Sequence, residues 1–317
     1  MPPLCRRLVF GVPATPATSP PLRSATAADL GMLLVALIWG VNFSVTKGAF
    51  DTIPPFAFTA VRFALASLFL VPLVRRLEGV EPLPPGALVR LIVLGVVGNT
   101  LYQLAWISGL ERTTASNSAL ILASMPTIVA VMAVVFGLEP FRPKVIGGVL
   151  VASLGVVLVV AARGAGFGAG TMAGDLLSLA AVVCWAGYTL GLRALPGDIS
   201  PLRVTMVTTV AGAPVLLLAG LPSMVSLEWR AVGWEGWAAL AYSTVLSLLV
   251  AYLIWNRSVK VVGPSRTVIY MCLTPLVAVV AAAVLLGERP RPLQAIGAAL
   301  IIAGVVLTVG QRSEPSS

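Results

Sequence analysis

Long apolar runs separated by short polar stretches dominate this sequence. A helix that crosses a bilayer needs about 20 largely apolar residues, and runs of that size follow one another between residues 30 and 310. The pattern predicts an all-α membrane protein with ten transmembrane helices, at residues 30–48, 56–74, 89–110, 114–137, 144–162, 174–192, 203–221, 235–256, 264–286 and 293–310. Residues 1–28, rich in Pro, Ala, Ser and Thr, predict a disordered N-terminal tail, and residues 311–317 are expected to form a short C-terminal tail.

The amino-acid composition excludes several classes of function. Of the 317 residues, 58% are hydrophobic, 10% are charged and none is His. Because soluble domains contain about 25% charged residues, this composition excludes a soluble enzyme. The absence of His removes Ser-His and Cys-His nucleophiles and His-based zinc sites, and the 3 cysteines lack metal-ligand spacing. The sequence therefore predicts no enzymatic activity, no metal site and no cofactor.

The basic residues predict an orientation. The net charge is +9, but Lys and Arg separate the apolar runs and do not cluster on a polar face, so we expect no nucleic-acid partner. With the N-terminus in the cytoplasm, 14 basic residues fall on the inner side and 6 on the outer side. This asymmetry predicts a membrane protein with both termini cytoplasmic. The lipid bilayer and a small-molecule substrate are the expected partners. A homodimer stays open, since the sequence does not determine the oligomeric state.

The chain repeats itself at long range. At an offset of 149 residues Pro126 aligns with Pro275, and at an offset of 146 Trp39 aligns with Trp185. Each half contains five predicted spans, and an odd number makes the second half enter the membrane from the opposite side. An inverted-topology repeat of this kind allows inward-open and outward-open states of similar energy. The predicted divisions are a first five-helix repeat, a linker and a second five-helix repeat, at residues 29–162, 163–173 and 174–310.

Polar and aromatic side chains form stripes on four predicted helices. Positions at i, i+3, i+4 and i+7 share one face of a helix, and polar faces are costly against lipid. We therefore expect the stripes to line a central cavity. The alternatives are hydrogen bonds between packed helices and aromatic belts at the membrane surface. The predicted substrate-binding residues from these stripes are Trp39, Asn42, Asn99, Tyr102, Gln103, Trp185, Tyr188 and Tyr252.

Arg62 is the one basic residue placed well inside a predicted span. An arginine there is costly unless it is paired or lines a cavity, so we include Arg62 among the substrate-binding residues, as a contact for a carboxylate or phosphate. The alternative is that it snorkels to the outer interface. Lys47 and Arg193 are interpreted as interface anchors. Because all 12 acidic residues fall in loops or near span ends, a central Asp or Glu proton carrier is disfavoured.

Pro126 and Pro275 fall near the middle of the fourth and ninth predicted spans. Each removes a backbone hydrogen bond, so the pair predicts two symmetric kinks with a role in gating, with static kinks as the alternative. Gly155 and Gly304 place small residues on the fifth and tenth spans, which is typical of packing seams between helices.

Three segments carry a family resemblance. ALIWGVNFSVTKGAF, SGLERTTASNSALILASMPTIVAVMAVVFGLEPFRP and VVGPSRTVIYMCLTPLVAVVAAAVLLGERPRP together resemble the EamA-type drug/metabolite transporter family, over residues 29–310. The resemblance implies a bacterial inner-membrane carrier, commonly an exporter of amino acids or other metabolites, with spans one to four and six to nine around a central cavity. The related small multidrug exporters use a buried Glu in span one, which is absent here.

These features together predict a secondary transporter that exports a small metabolite, such as an amino acid, by alternating access. A membrane channel and a lipid or polyprenyl-carrier flippase remain the alternative functions.

Overall fold

The computed structural model describes residues 22–79, 82–137, 143–161, 169–196, 199–263, 267–268 and 270–309. Within these residues the fold is helical, without strands. The helices are α1 Leu22–Ala49, α2 Pro55–Leu77, α3 Ala87–Arg112, α4 Ala115–Val135, α5 Pro143–Ala161, α6 Ala169–Gly191, α7 Pro201–Ser226, α8 Trp234–Val262, α9 Thr274–Leu286 and α10 Pro292–Val309.

The helices bear out the predicted all-α membrane class. Seven of those described are long and apolar enough to cross a bilayer, namely α1 to α4 and α6 to α8, and two shorter apolar stretches lie in α9 and α10. Each predicted span overlaps a described helix, but the ninth, predicted at residues 264–286, does so only in part because α9 begins at Thr274. Helix α1 begins at Leu22, inside the stretch expected to be a disordered tail, because the Ala-rich residues 25–28 continue the helix. Residues 1–21 lie outside the described residues.

The distribution of side chains is the reverse of that in a soluble protein. Large apolar residues face outward, with Leu68 and Leu218 each 70% exposed, whereas Asn99 and Thr208 are fully buried. Lipid solvates an apolar surface, while polar groups must find partners inside the helix bundle. The chain is thus a multi-pass membrane protein.

Two helices contain a π-helical segment. It spans Val96–Leu101 in α3 and Ser243–Val250 in α8. Moved by the 149-residue offset of the sequence repeat, the first segment falls on residues 245–250, within the second. A π-helix is rare and often marks a functional region. The backbone irregularities therefore follow the same repeat as the sequence.

Pro126 and Pro275 each stand at a break in a helix and not at a kink within a continuous helix. Pro126 lies in the first turn of Met125–Val135, after a break that follows Leu122. Pro275 lies in the first turn of α9, after a short 3-10 turn. Proline is tolerated in a first turn because the missing N–H has no intrahelical partner there. At the first break, the Ser124 hydroxyl donates to the Ile121 carbonyl at 2.7 Å.

Helices α5 and α10 pack directly against each other through glycine. A Cβ atom built on Gly155 would lie 2.6 Å from the carbonyl oxygen of Gly297, and one on Gly304 would lie 2.5 Å from that of Gly148. Such close backbone approach requires glycine. The glycines of these two helices thus form the packing seam that the sequence predicted.

Candidate functional site

The predicted stripes on α1, α3, α6 and α8 converge around Trp185. Its ring centroid lies 4.9 Å from that of Tyr102, 5.1 Å from Tyr252, 5.6 Å from Trp39 and 5.6 Å from Trp255. These separations are typical of interacting aromatic rings. Because two of the four helices come from each predicted repeat, the aromatic cluster lies where the repeats meet.

A small cavity adjoins the cluster. Its volume of about 30 Å³ holds one or two water molecules, so the site is too narrow for a metabolite in this conformation. The lining combines aromatic walls with neutral polar groups and one guanidinium, from Trp39, Asn42, Phe43, Arg62, Tyr102, Gln103, Trp106, Leu122, Met125, Trp185, Ser247, Tyr252 and Met271.

The cavity gathers seven of the nine predicted substrate-binding residues, but Asn99 and Tyr188 are not in its lining. The Tyr188 hydroxyl donates to Asn256 Oδ1 at 2.8 Å, and the Asn256 amide donates to Thr205 Oγ1 at 2.8 Å. Asn99 lies in the π segment of α3, with its Cβ 2.5 Å from the position that a Cβ on Gly212 would take. Both residues belong to contacts between helices.

Six lining residues are not among the predicted substrate-binding residues, namely Phe43, Trp106, Leu122, Met125, Ser247 and Met271. Leu122 and Met125 flank the break in α4, and Met271 lies in the 3-10 turn before α9. The signal shared by Leu122, Met125 and Met271 is their proximity in sequence to Pro126 and Pro275.

Arg62 is buried within the bundle and does not snorkel. It is 1% exposed, and its guanidinium carbon lies 5.5 Å from the Phe58 ring centroid and 6.0 Å from that of Trp106. Its Nε and Nη1 atoms find no hydrogen-bond partner within the described residues. Cation–π contacts compensate the buried charge only in part.

Hydrogen bonds join α1 to the π segment of α8. The Trp39 indole donates to the Ser247 carbonyl at 3.0 Å, and the Ser243 hydroxyl donates to Asn42 Oδ1 at 2.8 Å. In the other predicted repeat, the Thr100 hydroxyl of the α3 π segment donates to the Gly212 carbonyl at 2.9 Å. Each π segment therefore contacts a helix of the opposite predicted repeat.

Hydrogen bonds from Lys47 and to Glu288 hold the predicted outer ends of α3 and α4. Lys47 donates to the Leu110 and Glu111 carbonyls at 2.7 and 2.8 Å, so it caps α3 and is more than an interface anchor. Glu288 accepts from the Ser116 hydroxyl at 2.6 Å and from the Ala115 amide at 2.9 Å. A carboxylate at a helix N-terminus is electrostatically favourable, and this one joins α4 to the loop before α10.

A second, larger groove lies away from the central cavity. It lies between α1 and α9, has a volume of about 500 Å³, and is lined only by Val, Leu and Ala, including Val41 and Val280. Without polar groups it cannot orient a polar solute. The smaller central cavity is therefore the candidate site.

Comparison with known proteins agrees with a helical membrane protein of the transporter class. The sequence profile of the EamA-like transporter family matches residues 26–161 and again residues 172–310. The chain belongs to the EamA-like transporter family.

Named relatives cover most of the chain. The "Uncharacterized transporter YyaM" of Bacillus subtilis is 29% identical, over 88% of this chain and 92% of its own. The "Probable terminal-alkyne amino-acid exporter" of Streptantibioticus cattleyicolor is 29% identical, over 90% and 96%. The "Probable amino-acid metabolite efflux pump" of Salmonella typhimurium is 27% identical, over 87% and 93%. A solved crystal structure shares the fold, with a TM-score of 0.65 at 21% identity over 91% of this chain and 99% of that one.

Proposed function

We propose that the protein is a secondary transporter that exports a small metabolite, such as an amino acid, across the bacterial inner membrane by alternating access. The observation that carries this proposal is the central cavity, to which α1, α3, α6 and α8 contribute residues from both predicted repeats. A site at the interface of two repeats is opened to one side or the other when the repeats tilt. Relatives named as amino-acid exporters support the substrate class.

The proposal includes ten membrane-spanning helices arranged as two inverted repeats, with both termini in the cytoplasm. The family profile matches the two predicted halves separately, and the π segments recur at the same repeat position. The excess of basic residues on the predicted inner side supports the orientation.

Counterflow in liposomes tests this function. The full chain is reconstituted into vesicles loaded with pooled amino acids, and uptake of labelled members of the same pool is followed with and without a pH gradient. We expect saturable accumulation that depends on the internal pool. A Leu68→Ala variant, altered at a lipid-facing position of α2 that is 70% exposed, should transport like the wild type.

Other results would contradict the proposal. Flux that rises without saturation indicates a channel. Movement of fluorescent lipids between leaflets, without metabolite exchange, indicates a flippase.

A further inference from the structure

The central cavity has an uncompensated positive charge. Arg62 contributes the one charged side chain of the described lining, and the polar lining groups, including Asn42, Gln103 and Ser247, are neutral. Electrostatic interactions are strong where water is excluded. An anionic group in this cavity would therefore interact with Arg62 without competition from a protein carboxylate in the described lining.

Arg62 is also short of hydrogen-bond acceptors. Its Nε and Nη1 atoms are buried, with no partner in the described part of the chain, and its guanidinium carbon lies 5.5 Å from the Phe58 ring centroid and 6.0 Å from that of Trp106. Buried charged donors without partners are costly. A planar carboxylate matches two N–H donors of a guanidinium in a bidentate geometry.

An unpaired acceptor on Gln103 indicates a second group that the ligand carries. The Gln103 amide nitrogen donates to the Tyr252 hydroxyl at 3.4 Å, whereas Gln103 Oε1 has no partner among the described residues. This oxygen can accept a hydrogen bond from an amine, amide or hydroxyl of the ligand. The surrounding rings of Trp39 and Trp185 suit an apolar or aromatic body.

We infer that the cavity is selective for a carboxylate, with Arg62 as the residue that determines this specificity. The ligand class is a carboxylate that also bears a hydrogen-bond donor and an apolar side group, and organic cations without a carboxylate are excluded by repulsion from Arg62. This inference rests on the proposed function, because it assigns the substrate class of the same cavity.

Matched pairs of probes test the inference. Leucine is compared with leucinamide, and N-acetylphenylalanine with N-acetylphenylalaninamide, by quenching of tryptophan fluorescence in the detergent-solubilised full chain. Trp39, Trp106 and Trp185 line the cavity, so their emission reports occupancy without transport. We expect the wild type to bind each carboxylate at least about tenfold more tightly than its amide.

Three variants locate the source of the preference. Arg62→Gln should abolish it, and Arg62→Lys, which keeps the charge but loses the bidentate geometry, should retain part of it. Arg75→Gln changes an exposed arginine on the same helix and should leave the preference intact. Each comparison is a ratio of two affinities measured in one preparation. If the Arg62→Gln protein is not monodisperse, the ratios for the wild type and Arg62→Lys test whether Arg62 determines the preference.

The inference is overturned by equal affinities for both members of each pair in the wild type, by no response to any carboxylate, or by full preference in folded Arg62→Gln. Counterflow of the same probes separates it from the proposed function. Carboxylate-selective binding without exchange would reject transport and support the role of Arg62. Equal exchange of each carboxylate and its amide would reject the role of Arg62 and support transport.

Discussion

Gln103 and Asn99 show how the backbone decides the role of a side chain. Both were expected on one stripe of α3, since they are four residues apart. Asn99, however, lies within the π segment Val96–Leu101, whereas Gln103 follows it. A π-helix places more residues in each turn than an α-helix, so the angular relation between the two positions is altered. Gln103 lines the cavity and Asn99 faces α7.

This difference leads to a prediction about transport kinetics. Gln103→Ala removes a cavity hydrogen-bonding group, so we expect the KM for counterflow to rise by about three- to tenfold, as for the loss of about 1 kcal/mol. Asn99→Ala, at a position outside the lining, should change the KM by less than about twofold. The reverse order of effects would show that the cavity is not the substrate site.

At the scale of helices, hydropathy predicts where each span lies but not where its backbone departs from the α-helix. The outward faces of α2 and α7 are apolar because lipid solvates them, and this constraint is visible in the sequence. The π segments are not visible, because Val96–Leu101 and Ser243–Val250 consist of ordinary helix-compatible residues. Each π segment instead coincides with contacts to the opposite predicted repeat, such as the hydrogen bond from Trp39 to the Ser247 carbonyl.

The glycine seam of α5 and α10 gives a prediction at this scale. In Gly155→Val, the added Cβ would lie 2.6 Å from a backbone carbonyl oxygen, and its methyl groups need further space. The two helices must therefore separate. We expect a loss of about 1–3 kcal/mol, measured as a lower midpoint of thermal unfolding in detergent. Neither helix contributes a residue to the described cavity lining, so probe affinity should be unchanged.

Gly147→Val is the matched control for this prediction. It makes the same substitution in the same helix, but a Cβ on Gly147 meets nothing within 4 Å. Its unfolding midpoint should stay close to that of the wild type. Equal destabilisation by both variants would mean that helix propensity, and not the seam, determines the effect.

At the scale of the molecule, the candidate cavity combines residues of both predicted repeats. Trp39 and Trp185 occupy equivalent positions of the two predicted halves and meet with their ring centroids 5.6 Å apart. Periodicity and duplication therefore indicated seven of the 13 residues that line the candidate cavity. They did not predict the contribution of Leu122 and Met271, because both residues lie at the helix breaks beside the prolines. The gating role of Pro126 and Pro275 stays a prediction.

A reversible cross-link between the predicted halves tests alternating access most directly. The hydroxyls of Ser118 in α4 and Ser178 in α6 lie 3.1 Å apart and are buried, so a Ser118→Cys, Ser178→Cys double variant can form a disulfide after small adjustment. The control pair, Ser258→Cys with Thr267→Cys, lies within the second predicted half, with hydroxyls 3.3 Å apart. Both pairs are introduced into a chain whose native cysteines are replaced.

Counterflow is measured after oxidation and again after reduction, with the extent of cross-linking read by mass spectrometry. If the halves must move apart, oxidation of Ser118→Cys, Ser178→Cys abolishes exchange, reduction restores it, and the control pair remains active throughout. Full exchange by the completely cross-linked Ser118→Cys, Ser178→Cys protein would contradict transport by relative movement of the two halves.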